Sequence, residues 1–175
     1  VPNLLSAGGA TTSGLILFGG RRADGVWTTL YETHGGGEGA RADRDGAPVI
    51  RVHMSNVMNT PAEVIEAEYP IRIETQRLRS GSGGNGRHRG GEGLHREYRV
   101  LCDDMSVTSM FERRVVPPYG LQGGASGAPF KVTVIDAEGH RSDLPGKANI
   151  RLDAGSVVVV ESCGGGGYGT PDTDK

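Results

Sequence analysis

The segment "VHMSNVMNTPAEVIEAEYP", Val52 to Pro70, gathers a histidine, two asparagines, a threonine and three glutamates around Pro61. An imidazole and amides placed before a helix start can hold a carbonyl or a developing oxyanion. His53, Asn56 and Asn59 are therefore the candidate catalytic residues. Thr60, Pro61 and Glu63 have a purely local explanation: the threonine caps, the proline takes the first helical position and the glutamate closes a capping box. Val64, Ile65 and Ala67 give that helix an apolar side, and Pro70 stops it. Asparagines also close turns, and a lone strand histidine commonly serves structure, so the residues alone leave both roles open.

A second candidate is "ETHGGGEGAR", where Gly35, Gly36, Gly37 and Gly39 precede Arg41. Consecutive backbone N–H groups in such a loop can cradle phosphate or carboxylate. No lysine followed by serine or threonine completes a Walker loop. The alternative is close packing of this backbone against another segment. "CGGGGYG" (Cys163 to Gly169) admits the same pair of readings: a loop that a substrate approaches, or a chain turn with Tyr168 pinned to the core. The five histidines show no i, i+4 pairing and no metal-ligand spacing. His53 with Asp43 or Asp45 could converge only in space. "RHRGGEGLHR" lacks the repetition and interleaved aromatics of single-strand binders.

The elements that must position these groups are mostly strands. Period-two apolar patterning marks Leu15–Phe18, Val26–Glu32, Val49–Met54, Ile71–Leu78 and Met105–Phe111. In "LHREYRVL", Leu94, Arg96, Tyr98 and Val100 share one face. "FKVTVIDAEGHRSDL" predicts a hairpin turning at Ala137–Gly139, and "ANIRLDAGSVVVVE" another at Ala154–Gly155, with glycines supplying positive φ. The fold class expected is mainly β, sandwich-like or barrel-like antiparallel strands with one short helix and glycine-rich loops. Residues 1–170 are expected to form one domain, Arg79–Gly93 an ordered loop within it, and residues 171–175 a frayed tail.

Composition narrows the function. Charges nearly cancel, 19 basic against 21 acidic residues, which argues against a nucleic-acid partner. No run approaches the roughly 18 apolar residues of a membrane span, no secretory signal opens the sequence, and two cysteines make no disulfide framework. A cytoplasmic protein without membrane attachment is expected. Glycine is abnormal, 30 of 175 residues, where about 7% is usual. Only 35% of residues are hydrophobic, so a self-sufficient core is harder to build and some apolar surface is expected at an interface. The chain begins at Val1 rather than at a methionine, which leaves open a fragment or processed piece of something larger beside a natural split subunit.

Taken in order, the motifs resemble the C-terminal part of the hydantoinase B family, which includes the N-methylhydantoinase B subunit, part of 5-oxoprolinase, and acetone and acetophenone carboxylase subunits. "FGGRRADGVWTTLYETHGGGEGARADRDG" is similar to that family's strand, glutamate and glycine turn. "HMSNVMNTPAEVIEAEYP" is close to its "HMTNT-x-NTP-x-E-x-x-E-x-x-YP" signature. "SGGNGRHRGGEGLHREYRVL", "LPGK" and "GGGGYGTP" follow in the family's order. Ser55 and Val57 stand where threonines are usual, Ser156 and Thr170 where aspartates are usual, and His34 is atypical. The resemblance implies the B component of an ATP-dependent amidohydrolase acting on a hydantoin, 5-oxoproline or lactam, or else of a ketone carboxylase. It further implies a hydantoinase A-type ATPase partner, ATP used through that partner, and a small-molecule substrate. A divalent metal is compatible, with ligands mostly in an upstream part of the B component. His53 would orient an intermediate or a metal-bound water, Asn56 and Asn59 would donate from their amides, and Gly35, Gly36, Gly37, Gly39 and Arg41 would contact phosphate or brace the segment. A non-catalytic assembly domain of such a complex is the rival from another class.

Overall fold

A computed structural model describes residues 4–10, 14–51, 55 and 57–171. Among the described residues nine strands and one helix follow one another as β1 (Gly14–Arg21), β2 (Trp27–His34), α1 (Ala62–Glu68), β3 (Ile71–Arg79), β4 (Gly93–Val100), β5 (Met105–Met110), β6 (Lys131–Ile135), β7 (Arg141–Asp143), β8 (Lys147–Leu152) and β9 (Val157–Glu161). They form two antiparallel sheets, ordered β2-β1-β5-β8 and β3-β4-β9-β6-β7. Neither sheet closes into a barrel. Ile16, Phe18 and Val107 from one sheet share a single apolar core with Tyr98, Val132 and Val158 from the other. The Phe18 and Tyr98 rings meet at 5.0 Å across it.

Strand alternation sets what faces that core. On β4 the expected set, Leu94, Arg96, Tyr98 and Val100, is indeed the inner one, and all four are buried. The Ala137–Gly139 hairpin forms as β6 and β7, with Gly139 at φ +91°. The second expected hairpin does not. β8 and β9 meet at a tight turn whose Gly155 has φ +92°, yet β8 pairs with β5 while β9 runs between β4 and β6 in the other sheet. The valine run "VVVV" suits a central strand: flanked by β4 and β6, Val157 to Val160 are all buried.

Val49–Met54 is a further correction. Its described part is no strand: Ile50 makes one isolated bridge to Gly36, and Val49 is held at φ +46°. Residues 52–54 lie outside the described residues, as do 172–175 of the expected tail.

The glycines build a second interior made of backbone. Residues 163–168 are buried, and their amides radiate to different segments in turn. Gly164 donates to Ala128 (3.1 Å), Gly165 to Gly91 (2.9 Å) and Gly166 to Gly8 (2.8 Å); Gly167 then returns to Ala125 and Tyr168 to His88. That repeat of three is the period of a polyproline II helix, which has no internal hydrogen bonds and so offers every amide to a neighbour. Side chains cannot fit at such spacing. A Cβ on Gly165 would overlap the Glu38 carbonyl, and one on Gly37 the Gly91 carbonyl. The glycine share and the low apolar fraction thus have one cause.

Candidate functional site

At the His34 end of β2 the inter-sheet core turns polar. Alternation points Leu30, Glu32 and His34 inward from one sheet, and Arg96 and Tyr98 inward from the other. Arg96 Nη1 lies 2.6 Å from Glu32 Oε2 with both side chains almost wholly excluded from water, Arg96 being 1% exposed. The Tyr98 hydroxyl donates to the same carboxylate oxygen at 2.9 Å, and the Arg96 guanidinium lies 5.1 Å from the Tyr98 ring centroid. His34 Nε2 sits 2.7 Å from the Tyr98 hydroxyl and Nδ1 3.2 Å from the Gly14 carbonyl.

Burial, with the nearby Arg96 and Arg51 charges, pushes the His34 imidazole down to about 4 despite the opposing pull of Glu32. A neutral imidazole, a phenol and a carboxylate provide two protons for the three contacts in this row. With Tyr98 donating to Glu32, Nε2–H of His34 must donate to the Tyr98 oxygen. In the other tautomer Nδ1–H donates to the Gly14 carbonyl and Nε2 accepts from the Tyr98 hydroxyl. Burial also raises the Tyr98 phenol well above its ordinary value, so it stays a donor.

This cluster grips the segment that carries the signature. The Thr60 N–H donates to Glu32 Oε1 at 3.3 Å, and Arg96 Nη2 donates to the Thr60 carbonyl at 3.2 Å. Both backbone polar atoms of one residue are therefore held by one buried ion pair. The expected capping box is absent: the Thr60 N–H that Glu63 would accept goes to Glu32, the cap moves to Pro61, and no side chain caps α1. Arg51 secures the other side of the segment: it bonds the Thr33 hydroxyl and carbonyl on the edge of β2, and donates to Asn59 Oδ1 at 3.0 Å. That bond fixes the orientation of the Asn59 amide, with Nδ2 as the donating end. His53 and Asn56 lie outside the described residues.

The glycine loop has a structural occupation. Gly36 bridges to Ile50, the Gly37 amide donates to the Cys163 carbonyl, and a Cβ on Gly39 would overlap the Ala7 carbonyl. Gly35 packs against Ile50 and Arg51. Arg41 pairs with Glu38 at 3.0 Å, while Asp45 accepts the Arg89 amide and faces His88 at 3.5 Å. Among the described residues one trio, Asp136, Glu138 and His140, brings possible metal ligands within 4.8 Å of one another. It lies on the exposed β6–β7 turn, where Asp136 already accepts the Glu138 and His140 amides. That donor set fits a turn lock better than a catalytic metal.

The Glu32–Arg96–Tyr98 arrangement escaped the residue-level reading. Its signal was present: opposite charges at core-facing positions of two alternating strands, each among apolar neighbours.

An antiparallel two-sheet sandwich stitched to a glycine backbone bundle, with a buried ion pair holding Thr60 and Arg51 holding Asn59, is the architecture of this chain. The chain belongs to the hydantoinase B/oxoprolinase family, whose model matches residues 1–171. It is 40% identical over 156 residues to uncharacterized protein MJ0963 of Methanocaldococcus jannaschii, covering 89% of this chain and 26% of that one. It is 39% identical over 140 residues to 5-oxoprolinase 1 of Arabidopsis thaliana, covering 80% of this chain and 11% of that protein. The fold matches that of the ATP-dependent caprolactamase of Pseudomonas jessenii, with TM-score 0.80 and 23% identity over 97% of this chain and 31% of the other. The chain thus spans about a quarter or less of these two sequence relatives. No helix among the described residues is long and apolar enough to cross a membrane.

Proposed function

We propose that this chain is the C-terminal portion of the B component of an ATP-dependent amidohydrolase that opens a hydantoin, 5-oxoproline or lactam-type ring. The observation that carries the proposal is the grip on the signature segment: Thr60 held by Glu32 and Arg96, and Asn59 held by Arg51. A buried ion pair spent on the backbone of one surface segment fits the need to fix reacting groups closely. ATP, used by a hydantoinase A-type partner, supplies the phosphoryl group that makes an unreactive amide carbon electrophilic.

This chain's own residues then hold the activated intermediate. Asn59 offers Nδ2–H to its oxygen, Asn56 adds a second amide donor, and His53 orients the reacting carbonyl. The Gly35–Gly39 loop braces that segment through the Gly36–Ile50 bridge, and Arg41 stays with Glu38 at its outer end. The remaining length of a full B component supplies any metal ligands, and this portion alone is inactive.

The test is ATP consumption by the assembled complex over a panel of cyclic amides, beside ketones with bicarbonate. ATP-coupled ring opening of a cyclic amide supports the reading. ATP-coupled uptake of bicarbonate into a ketone, with no amide opened, replaces it with the carboxylase assignment.

A further inference from the structure

The two sheets turn unlike faces outward. On the five-stranded sheet the outward face is charged: His95 sits between Glu97 and Glu161, and Lys131 pairs with Asp143. On the four-stranded sheet, register places Tyr31, Leu17 and Thr108 in one cross-strand row and Leu15 and Met110 in the next, with Trp27 at the far end of β2. Trp27, Tyr31 and Met110 are 48%, 59% and 45% exposed. Among the described residues, the outward positions of these four strands carry no carboxylate. The charges at the rim are Arg21, Lys147 and Arg151, all cationic, the last balanced by Asp104 from a neighbouring turn. An aromatic and apolar centre, hydroxyl groups around it and charge only at the rim is the anatomy of a protein–protein interface.

We propose that this face docks the part of a hydantoinase B-length component lying outside this chain, through a surface with an apolar centre and an acidic rim; the proposal rests on the family reading of the previous subsection. Two observations choose this occupant. The sequence relatives named above carry roughly three to eight times as much further chain, since only 26% and 11% of their lengths are matched, so a partner surface of ample size exists in them. A second copy of this chain would bring the unbalanced cations Arg21 and Lys147 to the contact and no outward carboxylate on these strands to meet them, and like charges across an interface are costly.

The experiment is hydroxyl-radical footprinting of this chain alone and within the assembled B component, read at Trp27, Tyr31 and Met110. Trp27 is the sole tryptophan of the chain, so its oxidation is assigned without ambiguity. Docking predicts protection of all three in the assembly. It also predicts that Tyr31→Glu weakens association by about tenfold or more, while Arg141→Glu on the opposite sheet leaves association unchanged. The melting curve of the isolated Tyr31→Glu chain checks that it folds. Equal oxidation of Trp27 in both samples overturns the proposal, and so does concentration-dependent protection in the chain alone, which would make a second copy the occupant. ATP-coupled turnover with Trp27 still exposed sinks the docking face and leaves the functional reading standing. Protection without any turnover does the reverse.

Discussion

Arg96 and Glu32 are a buried pair whose worth lies in what happens when one partner is missing. Removing one leaves a charge without water or a counter-ion, which costs about 3–5 kcal/mol, whereas replacing both by apolar residues is often neutral. Arg96→Met should therefore lower unfolding stability by about 3–5 kcal/mol in urea titrations, and Glu32→Leu combined with Arg96→Met should recover most of that loss. The recovered double variant should still lose turnover, because Thr60 is no longer held. His34 adds a pH dependence with a definite sign. Its imidazole is lowered from 6.5 to about 4 in the folded chain, so the unfolded chain binds the extra proton first. The full contribution is present above pH 6.5 and drains away as pH falls towards 4. Denaturant titrations between pH 7 and 4 should show this slope in the wild type and a shallower one in His34→Gln. Most of this cluster was not legible as a site. The alternation of β4 put Arg96 and Tyr98 on the inner face, but only the packing of two sheets showed that Glu32 stands opposite.

Elements were readable where the signal was local. The turns at Gly139 and Gly155 and the inner face of β4 follow from residues a few positions apart. Pairing partners do not, which is why the β8–β9 turn looked like a hairpin and proved to be a crossover between sheets. The strap before α1 misled for a different reason. Ile50 carries a β-type side chain, yet the backbone of Ile50 and Arg51 is set by the bridge to Gly36 and by the Arg51 bonds to Thr33. Val49, β-branched and at φ +46°, sits just ahead of them, a conformation that costs a residue of its type about 1–3 kcal/mol. Val49→Gly should therefore raise thermal stability by about 1 kcal/mol while loosening the approach to Arg51. The measurable sign of that loosening is faster amide exchange at Asn59 and Thr60.

At the scale of the whole molecule, the chain is held by two interiors of different chemistry. The sandwich core is apolar; the bundle around residues 163–169 is hydrogen-bonded backbone that glycine alone permits. This explains why 35% hydrophobic content is enough for two ordered sheets. Composition showed the glycine excess, but no local pattern says that Gly166 donates to Gly8 or Gly165 to Gly91. Two alanine substitutions separate the kinds of glycine. Gly139→Ala has open space and a positive φ, so it should cost only about 1–2 kcal/mol. Gly165→Ala drives a methyl into the Glu38 carbonyl and should leave little folded protein, as judged by soluble yield and circular dichroism.

The central claim is that the segment from His53 to Thr60 acts on the substrate in an ATP-dependent amide hydrolysis. Its most direct test is single-turnover kinetics of the assembled complex carrying His53→Ala and Asn59→Ala together, with native mass and ATP consumption recorded on the same sample. The account predicts an intact assembly that still consumes ATP and opens the ring at least about a hundredfold more slowly. Wild-type ring opening by that double variant would contradict it and leave this chain an assembly domain.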